Sequence, residues 1–175
     1  MNRLTDESIM ERVKAGKLEY MTELFNRYHQ PILNYLARCT GNLEDSRDLT
    51  QSVFLRILKY RASYDVSKGF KSWMYRIARN ILHSHYSERK ICTENIDNHS
   101  FLANIEVEEN TNHEKLYRCL DQLNDEYREL IVLSKFQGLK YKEIAGIFST
   151  TEASIKNKMF RAMDQLRTLF YKLEN

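Results

Sequence analysis

The sequence contains few residues that interrupt helices, with five glycines and one proline among 175 residues. A turn-rich β fold needs such residues at each hairpin, so their scarcity argues against a sheet protein. Long stretches rich in Leu, Glu, Lys, Arg and Met favour helices instead. Hydrophobic residues make up 42% of the chain, which is too many for a disordered protein. The predicted fold class is all-α.

Cysteine is also scarce, and the three residues, Cys39, Cys92 and Cys119, are far apart. No C-x-x-C pair occurs, so neither a disulfide framework nor a zinc ribbon is indicated. We expect Cys39 and Cys119 to be buried structural residues and Cys92 to be exposed. No apolar run approaches the roughly 20 residues that span a bilayer, and the N-terminal residues are too charged for a signal peptide. The expectation is a cytoplasmic protein without direct membrane insertion.

Enzyme motifs are missing as well, because the sequence has no Gly-rich phosphate loop and no nucleophile motif. His83 and His85 are two positions apart, so on a helix they point to different faces. Glu88 is their only nearby carboxylate, and this pattern does not suit a metal site. We expect no enzymatic activity, cofactor, metal or small-molecule substrate.

Charge is unevenly distributed along the chain. Nine Lys or Arg lie between Arg56 and Lys90, against two acids, whereas the segment from Thr93 to His113 holds five acids and no Lys or Arg. The basic block is a candidate surface for a polyanion. The acidic segment has no sustained apolar period and is predicted to be a flexible linker, although a short helix over 101–107 stays open.

Apolar residues recur at steps of three and four on both sides of this linker. They predict helices over 5–14, 18–39, 43–60 and 70–89, and then over 113–123, 125–137, 141–148 and 151–173. Pro31 falls inside the second helix and predicts a kink or a break near His29. The fourth helix is expected to bury Trp73, Ile77, Ile81 and Leu82. The predicted organisation is a first domain over 1–91, an acidic linker over 92–112 and a second domain over 113–175.

The sharpest local signal is YKEIAGIFSTTEASIKNKMFRA, from Tyr141 to Ala162. A short helix, a tight turn and a second helix form the helix-turn-helix layout, whose second helix enters the major groove of DNA. Ile144, Ala145, Phe148, Ile155 and Met159 are predicted to face inward. The candidate DNA contacts are Thr151, Ser154, Lys156, Asn157, Lys158 and Arg161, since these side chains can bind phosphates or base edges. The alternative is an ordinary helical hairpin with a solvated basic face.

A second signal is FKSWMYRIARNILHSHYSER, in which aromatic residues alternate with Lys71, Arg76, Arg79 and Arg89. Aromatic rings can stack on unpaired bases while cations hold the backbone, so this pattern suits single-stranded nucleic acid. The competing interpretation is structural, because Trp73 and Ile77 are one helical turn apart and this spacing is typical of a core.

Five segments together resemble a group 4, or extracytoplasmic-function, sigma factor of the sigma-70 family. LFNRYHQPILNYL, DLTQSVFLRIL and FKSWMYRIARNIL resemble the first conserved domain, called sigma domain 2. LDQLNDEYRELIVLSKFQGLKYKEIAGIF and the helix-turn-helix resemble sigma domain 4. The resemblance covers nearly the whole chain, and five motifs in the correct order are much more specific than any one alone.

This resemblance implies roles that periodicity cannot reveal. The partners would be core RNA polymerase (its β′ coiled coil and β flap), promoter DNA and an anti-sigma factor. Contact with the core would involve Asp48, Gln51 and Phe54, and domain 4 would read the −35 element through the helix-turn-helix. Contacts to the −10 element, which include capture of a flipped base, would involve Tyr64, Lys68, Lys71, Trp73, Arg76, Arg79 and Asn80.

The helix-turn-helix departs from the family pattern. Where relatives often carry Gly at the turn and Gly-Thr-Val in the second helix, this chain has Ser149 and Ala153-Ser154-Ile155. Ser can occupy a turn and Ala favours a helix, so the fold is expected to survive while base preference differs. The main rival from another class is a DNA-binding regulator that acts without polymerase, which would need a ligand pocket or a dimer seam in its first domain.

Overall fold

The computed structural model describes residues 4–92 and 111–173, and every regular element within these ranges is helical. The described residues form two compact units, one of 4–36 with 47–92 and the other of 37–46 with 111–173. The all-α prediction is confirmed. Most of the predicted acidic linker, including the short helix considered over 101–107, lies outside the described residues, as does the Cys92 side chain.

The first half of the chain follows the predicted helices closely. The elements are α1 (Asp6–Lys14), a 3-10 turn (Leu18–Tyr20), α2 (Met21–Thr40), α3 (Leu43–Tyr60), a second 3-10 turn (Arg61–Ser63) and α4 (Phe70–Cys92). Thr5 is the N-cap of α1, because its hydroxyl accepts the Ser8 N–H at 3.2 Å. Pro31 lies inside a continuous α2, so the break considered near His29 does not occur.

The core of the first unit differs from the prediction on α4. Phe70, Met74, Ala78 and Leu82 are fully buried, and Ile81 is nearly so. Trp73 and Ile77 are only half-buried, so the prediction that they lie in the core was wrong. Residues 70, 74, 78 and 82 follow a strict four-residue step, and the stripe that they form puts Trp73 and Ile77 at its edge.

The second half of the chain contains α5 (Thr111–Asp121), α6 (Asp125–Ile131), α7 (Tyr141–Phe148) and α8 (Glu152–Lys172). The single helix predicted over 125–137 is instead α6 followed by a π-helical turn, Val132–Phe136. Gly138 follows with a positive φ of 66°, the conformation that glycine adopts easily beyond a helix end.

Arg128 of α6 is a buried cation with 3% exposure. Its guanidinium donates to three backbone carbonyls where α5 ends, those of Leu120 at 2.9 Å, Asp121 at 2.8 Å and Leu123 at 3.0 Å. The last carbonyls of a helix have no partner within the helix. Arg128 supplies this partner from a different element and so joins the end of α5 to α6.

Cys39 and Cys119 are both buried, as predicted. Burial raises the pKa of both thiols above the ordinary value, so neither is a reactive thiolate. None of the described helices combines the length and the apolar composition needed to cross a membrane.

Candidate nucleic-acid and polymerase interfaces

The helix-turn-helix of the second unit consists of α7, a three-residue turn and α8. Ser149 ends α7 in the left-handed conformation, with φ 51° and ψ 45°. Thr151 then caps α8 by accepting the Ser154 N–H at 3.2 Å. Ser149 therefore takes a left-handed backbone geometry, at some conformational cost for a residue with a Cβ.

The buried side of the helix-turn-helix is close to the prediction. Ile144, Ala145, Ile155 and Met159 are buried. Phe148 is only half-buried, and Ile147, with 2% exposure, takes the core position instead. Tight packing along this side fixes which face of α8 is presented to solvent.

The exposed face of α8 carries Lys156, Asn157 and Arg161. Lys158 is half-buried and forms an ion pair with Glu126 of α6, so it also has a structural role. Thr151 also has a structural role, since its hydroxyl caps the helix. Phe160 was missed by the sequence analysis, although it has 75% exposure and lies one turn beyond Lys156. The four-residue step from Lys156 places Phe160 on the same face of α8, so the sequence could have indicated it as a contact. An apolar side chain there can contact the thymine methyl group.

The predicted −10 region of the first unit has an exposed tip over residues 65–69. Inside the tip, Asp65 Oδ1 accepts the Ser67 backbone N–H at 3.0 Å and the Ser67 hydroxyl at 2.7 Å. These two hydrogen bonds hold the pKa of Asp65 below its ordinary value. The predicted contact residue Lys68 is exposed on this tip.

Tyr64, one of the residues predicted at the −10 element, is a core residue. It is 1% exposed and its ring lies 5.1 Å from Trp73 and 6.1 Å from Phe70 between ring centroids. Burial raises the pKa of Tyr64 to about 12, and the carboxylates of Glu7 and Glu11 add to the shift. The Tyr64 side chain, just before the tip, points into the core, and the sequence of a loop does not indicate which of its side chains are buried.

Replacing Tyr64 with Phe is expected to stabilise the first unit. The hydroxyl is buried and has no hydrogen-bond partner among the described residues, so its removal should raise the free energy of unfolding by about 1 kcal/mol. Urea unfolding of both proteins measures the change. Tyr28→Phe is the matched control and should be destabilising, because the Tyr28 hydroxyl donates to Asp6. A less stable Tyr64→Phe variant would contradict the interpretation.

The other predicted −10 residues lie on α4, at different depths. Arg76 and Asn80 are exposed, whereas Lys71, Trp73 and Arg79 are half-buried. Trp73 lies beside the tip at the rim of an aromatic cluster with Tyr64 and Phe70. A partly exposed indole held by two other rings is a suitable platform for one stacked base.

The predicted polymerase-contact residues separate into two sets on α3. Asp48 and Gln51 are exposed, but Phe54 is 6% exposed and packs against Phe25, with ring centroids 4.9 Å apart. This burial agrees with the apolar period of α3, which predicts Phe54 on the buried stripe of the helix. Seven residues are nearly two helical turns, so Leu55 shares the face of Asp48, and it is 59% exposed. Leu55 also lines a groove of about 330 Å³ between α3 and α4.

No cluster of His, Cys, Asp or Glu among the described side chains, 4–89 and 114–173, could hold a metal ion.

Two family matches fall on these units in chain order. Residues 24–91 match the family described as Sigma-70 region 2, and residues 113–166 match the family described as Sigma-70, region 4. The chain belongs to the sigma-70 family. This is a family of transcription initiation factors rather than of enzymes.

Curated relatives place this sigma factor in the extracytoplasmic-function group. It is 29% identical over 153 residues to RNA polymerase sigma factor YlaC of Bacillus subtilis, an alignment that covers 83% of this chain and 88% of the relative. It is 25% identical over 179 residues to the ECF RNA polymerase sigma-E factor of Escherichia coli K12, covering 94% and 93% of the two chains.

A solved structure confirms the fold. The sigma factor RpoE of Bartonella quintana, in complex with the anti-sigma factor NepR, matches with a TM-score of 0.75 at 19% identity, over 86% of this chain and 96% of that one.

Proposed function

We propose that this sigma factor binds core RNA polymerase in the cytoplasm and directs it to promoters by reading a −10 and a −35 element. The observation that carries the proposal is the exposed face of α8, where Lys156, Asn157 and Arg161 follow a packed and capped helix-turn-helix. Cations suited to phosphates lie there beside an amide suited to adenine. The domains assigned are 1–91 for the core and the −10 element, 92–112 as linker and 113–175 for the −35 element.

The polymerase-binding surface is assigned to Asp48, Gln51 and Leu55 of α3. Leu55 replaces Phe54 in this set, because an exposed leucine between polar residues is a feature of interfaces, whereas Phe54 belongs to the core. The β′ coiled coil is the proposed partner of this surface, and the β flap the proposed partner of the second domain.

Recognition of the −10 element is assigned to the tip 65–69 and the outer side of α4. Lys68, Arg76 and Asn80 are exposed there, and Trp73 offers a stacking face. Lys71 and Arg79 are half-buried and would contact the nucleic-acid backbone from the edge of this surface. Extrusion of a base costs a few kcal/mol, which stacking and backbone contacts offset.

An anti-sigma factor is proposed as the inhibitory partner. The support is that the related fold of Bartonella quintana RpoE was solved in complex with an anti-sigma factor. Exposed Leu55 gives such a partner an apolar contact that would compete with polymerase.

The test is run-off transcription with the purified protein, core RNA polymerase and fragmented host DNA, followed by sequencing of the transcripts. New start sites that share two spaced upstream elements would support the proposal. No transcripts, together with no binding to core, would favour a DNA-binding regulator that acts without polymerase.

Equilibrium binding to a duplex that carries the mapped −35 element, measured at several salt concentrations, tests the −35 assignment through Lys156→Ala. Loss of one phosphate contact should lower the affinity for the −35 duplex at every sequence and reduce the slope of its salt dependence by about 1. Lys172→Ala removes a lysine from the far end of α8 and is the matched control. Lys158→Ala should change the slope less, since that half-buried side chain is tied to Glu126 of another helix. The pair of Lys156 with Glu152, in contrast, is more exposed and lies within α8. Equal slopes for wild type and Lys156→Ala would remove Lys156 from the interface.

A further inference from the structure

The exposed tip 65–69 lies between two buried aromatic residues. Tyr64 precedes it with 1% exposure, and Phe70 follows it with 0% exposure as the first residue of α4. Their rings contact each other, with centroids 6.1 Å apart in an edge-to-face arrangement. The two ends of the tip are thus anchored side by side in the core.

Helix α1 contacts the backbone at both anchors. Lys14 Nζ donates to the carbonyl oxygen of Tyr64 at 2.7 Å, and Glu7 Oε1 accepts the backbone N–H of Phe70 at 3.1 Å. Seven residues are about two helical turns, so Glu7 and Lys14 lie on one face of α1. The Phe70 N–H is among the first N–H groups of α4, which have no partner within that helix, and a carboxylate is favoured there by the helix dipole.

Helix α1 is itself firmly attached to α2. Ile9, Met10 and Val13 are fully buried. Asp6 accepts a hydrogen bond from Arg27 at 2.6 Å and another from the Tyr28 hydroxyl. A helix fixed in this way can hold a loop in position.

We propose that α1 holds the −10 tip in its reading conformation, with Glu7 and Lys14 as positioning residues. This inference rests on the proposed role of the tip at the −10 element. The turn around Asp65 orders the tip internally, while Glu7 and Lys14 fix its two ends. A loop that is already ordered loses less conformational entropy when it binds, so nucleic acid binds it more tightly.

The experiment uses holoenzyme assembled from the full chain, and its probe is a labelled oligonucleotide with the non-template strand of a −10 element mapped by run-off transcription. The double variant Glu7→Ala/Lys14→Ala is expected to bind this probe about tenfold more weakly, because both ends of the tip lose their anchor. Affinity for the −35 duplex and for core polymerase should change by less than about twofold, since neither contact involves the tip. Glu11→Ala and Lys17→Ala, exposed residues of like charge nearby, are the controls.

The conservative pair Glu7→Gln/Lys14→Arg separates positioning from general stability. It keeps an acceptor and a donor, so it should recover most of the affinity. Wild-type affinity of the alanine pair, or an equal loss in the conservative pair, would overturn the inference. If wild-type holoenzyme binds the −10 strand no better than a scrambled strand, the −10 assignment itself fails, which is a distinct result.

Discussion

Replacing Arg128 with Ala is expected to destabilise the second unit by about 3–5 kcal/mol, an amount typical of breaking a buried charged hydrogen-bond network. The guanidinium is buried and serves the three carbonyls where α5 ends. Alanine would leave these acceptors buried without donors and would open a cavity. Arg128→Lys should recover little of the loss, because an ammonium group cannot reproduce the planar fork of donors.

Amide hydrogen exchange measured by mass spectrometry tests this prediction, because it reports the protection of each segment of the chain separately. Protection should fall across 37–46 and 111–173, where Arg128 also donates to the Cys39 carbonyl, and stay near wild type in 4–36 and 47–92. Arg118→Ala is the matched control, since the Arg118 side chain is 57% exposed and its pairing with Glu114 is worth about 0.5 kcal/mol. Wild-type protection around α5 and α6 in Arg128→Ala would show that the carbonyls find other donors.

Replacing Asp48 with Arg is expected to weaken the binding of core polymerase by about two orders of magnitude, because a misplaced charge at an interface costs several kcal/mol. Asp48 is exposed in the middle of α3, and arginine favours helices, so helicity should not change. Equilibrium binding to core polymerase, followed by fluorescence anisotropy, measures the effect, and circular dichroism verifies the fold.

Glu19→Arg is the matched control for Asp48→Arg, since it makes the same charge change at an exposed acid on another element. It should bind core polymerase almost as wild type does. Leu55→Ala should weaken the binding of core polymerase about tenfold, because Leu55 is the apolar contact residue of this surface. Normal holoenzyme formation by Asp48→Arg would mean that the docking surface lies elsewhere.

The helices could be predicted from sequence because their signals are local. The bounds of α3 and α7 are those predicted. At the start of α3, Asn42 Oδ1 accepts the Glu44 N–H at 2.9 Å, a short-range cap that is visible in the sequence. The π-helical turn after α6 was not predicted, since apolar periodicity does not distinguish it from α-helix.

The site was harder to predict where side-chain direction depends on distant residues. Lys158 pairs with Glu126, 32 positions away, a contact that the local sequence does not indicate. Tyr64 follows a turn, where no period indicates which side is buried. At Phe54 the resemblance implied a polymerase contact while the apolar period predicted burial, and a single step along α3 leads from this buried ring to exposed Leu55.

Trp73 is the only tryptophan in the chain, and it is half-buried beside the tip 65–69. Its emission therefore comes from one place, at the rim of the surface assigned to the −10 element. A base stacking on the indole would quench that emission, whereas binding at α8 would leave it unchanged. With a core polymerase whose own tryptophans are replaced by a non-fluorescent analogue, strand opening could be followed in real time without attaching a dye.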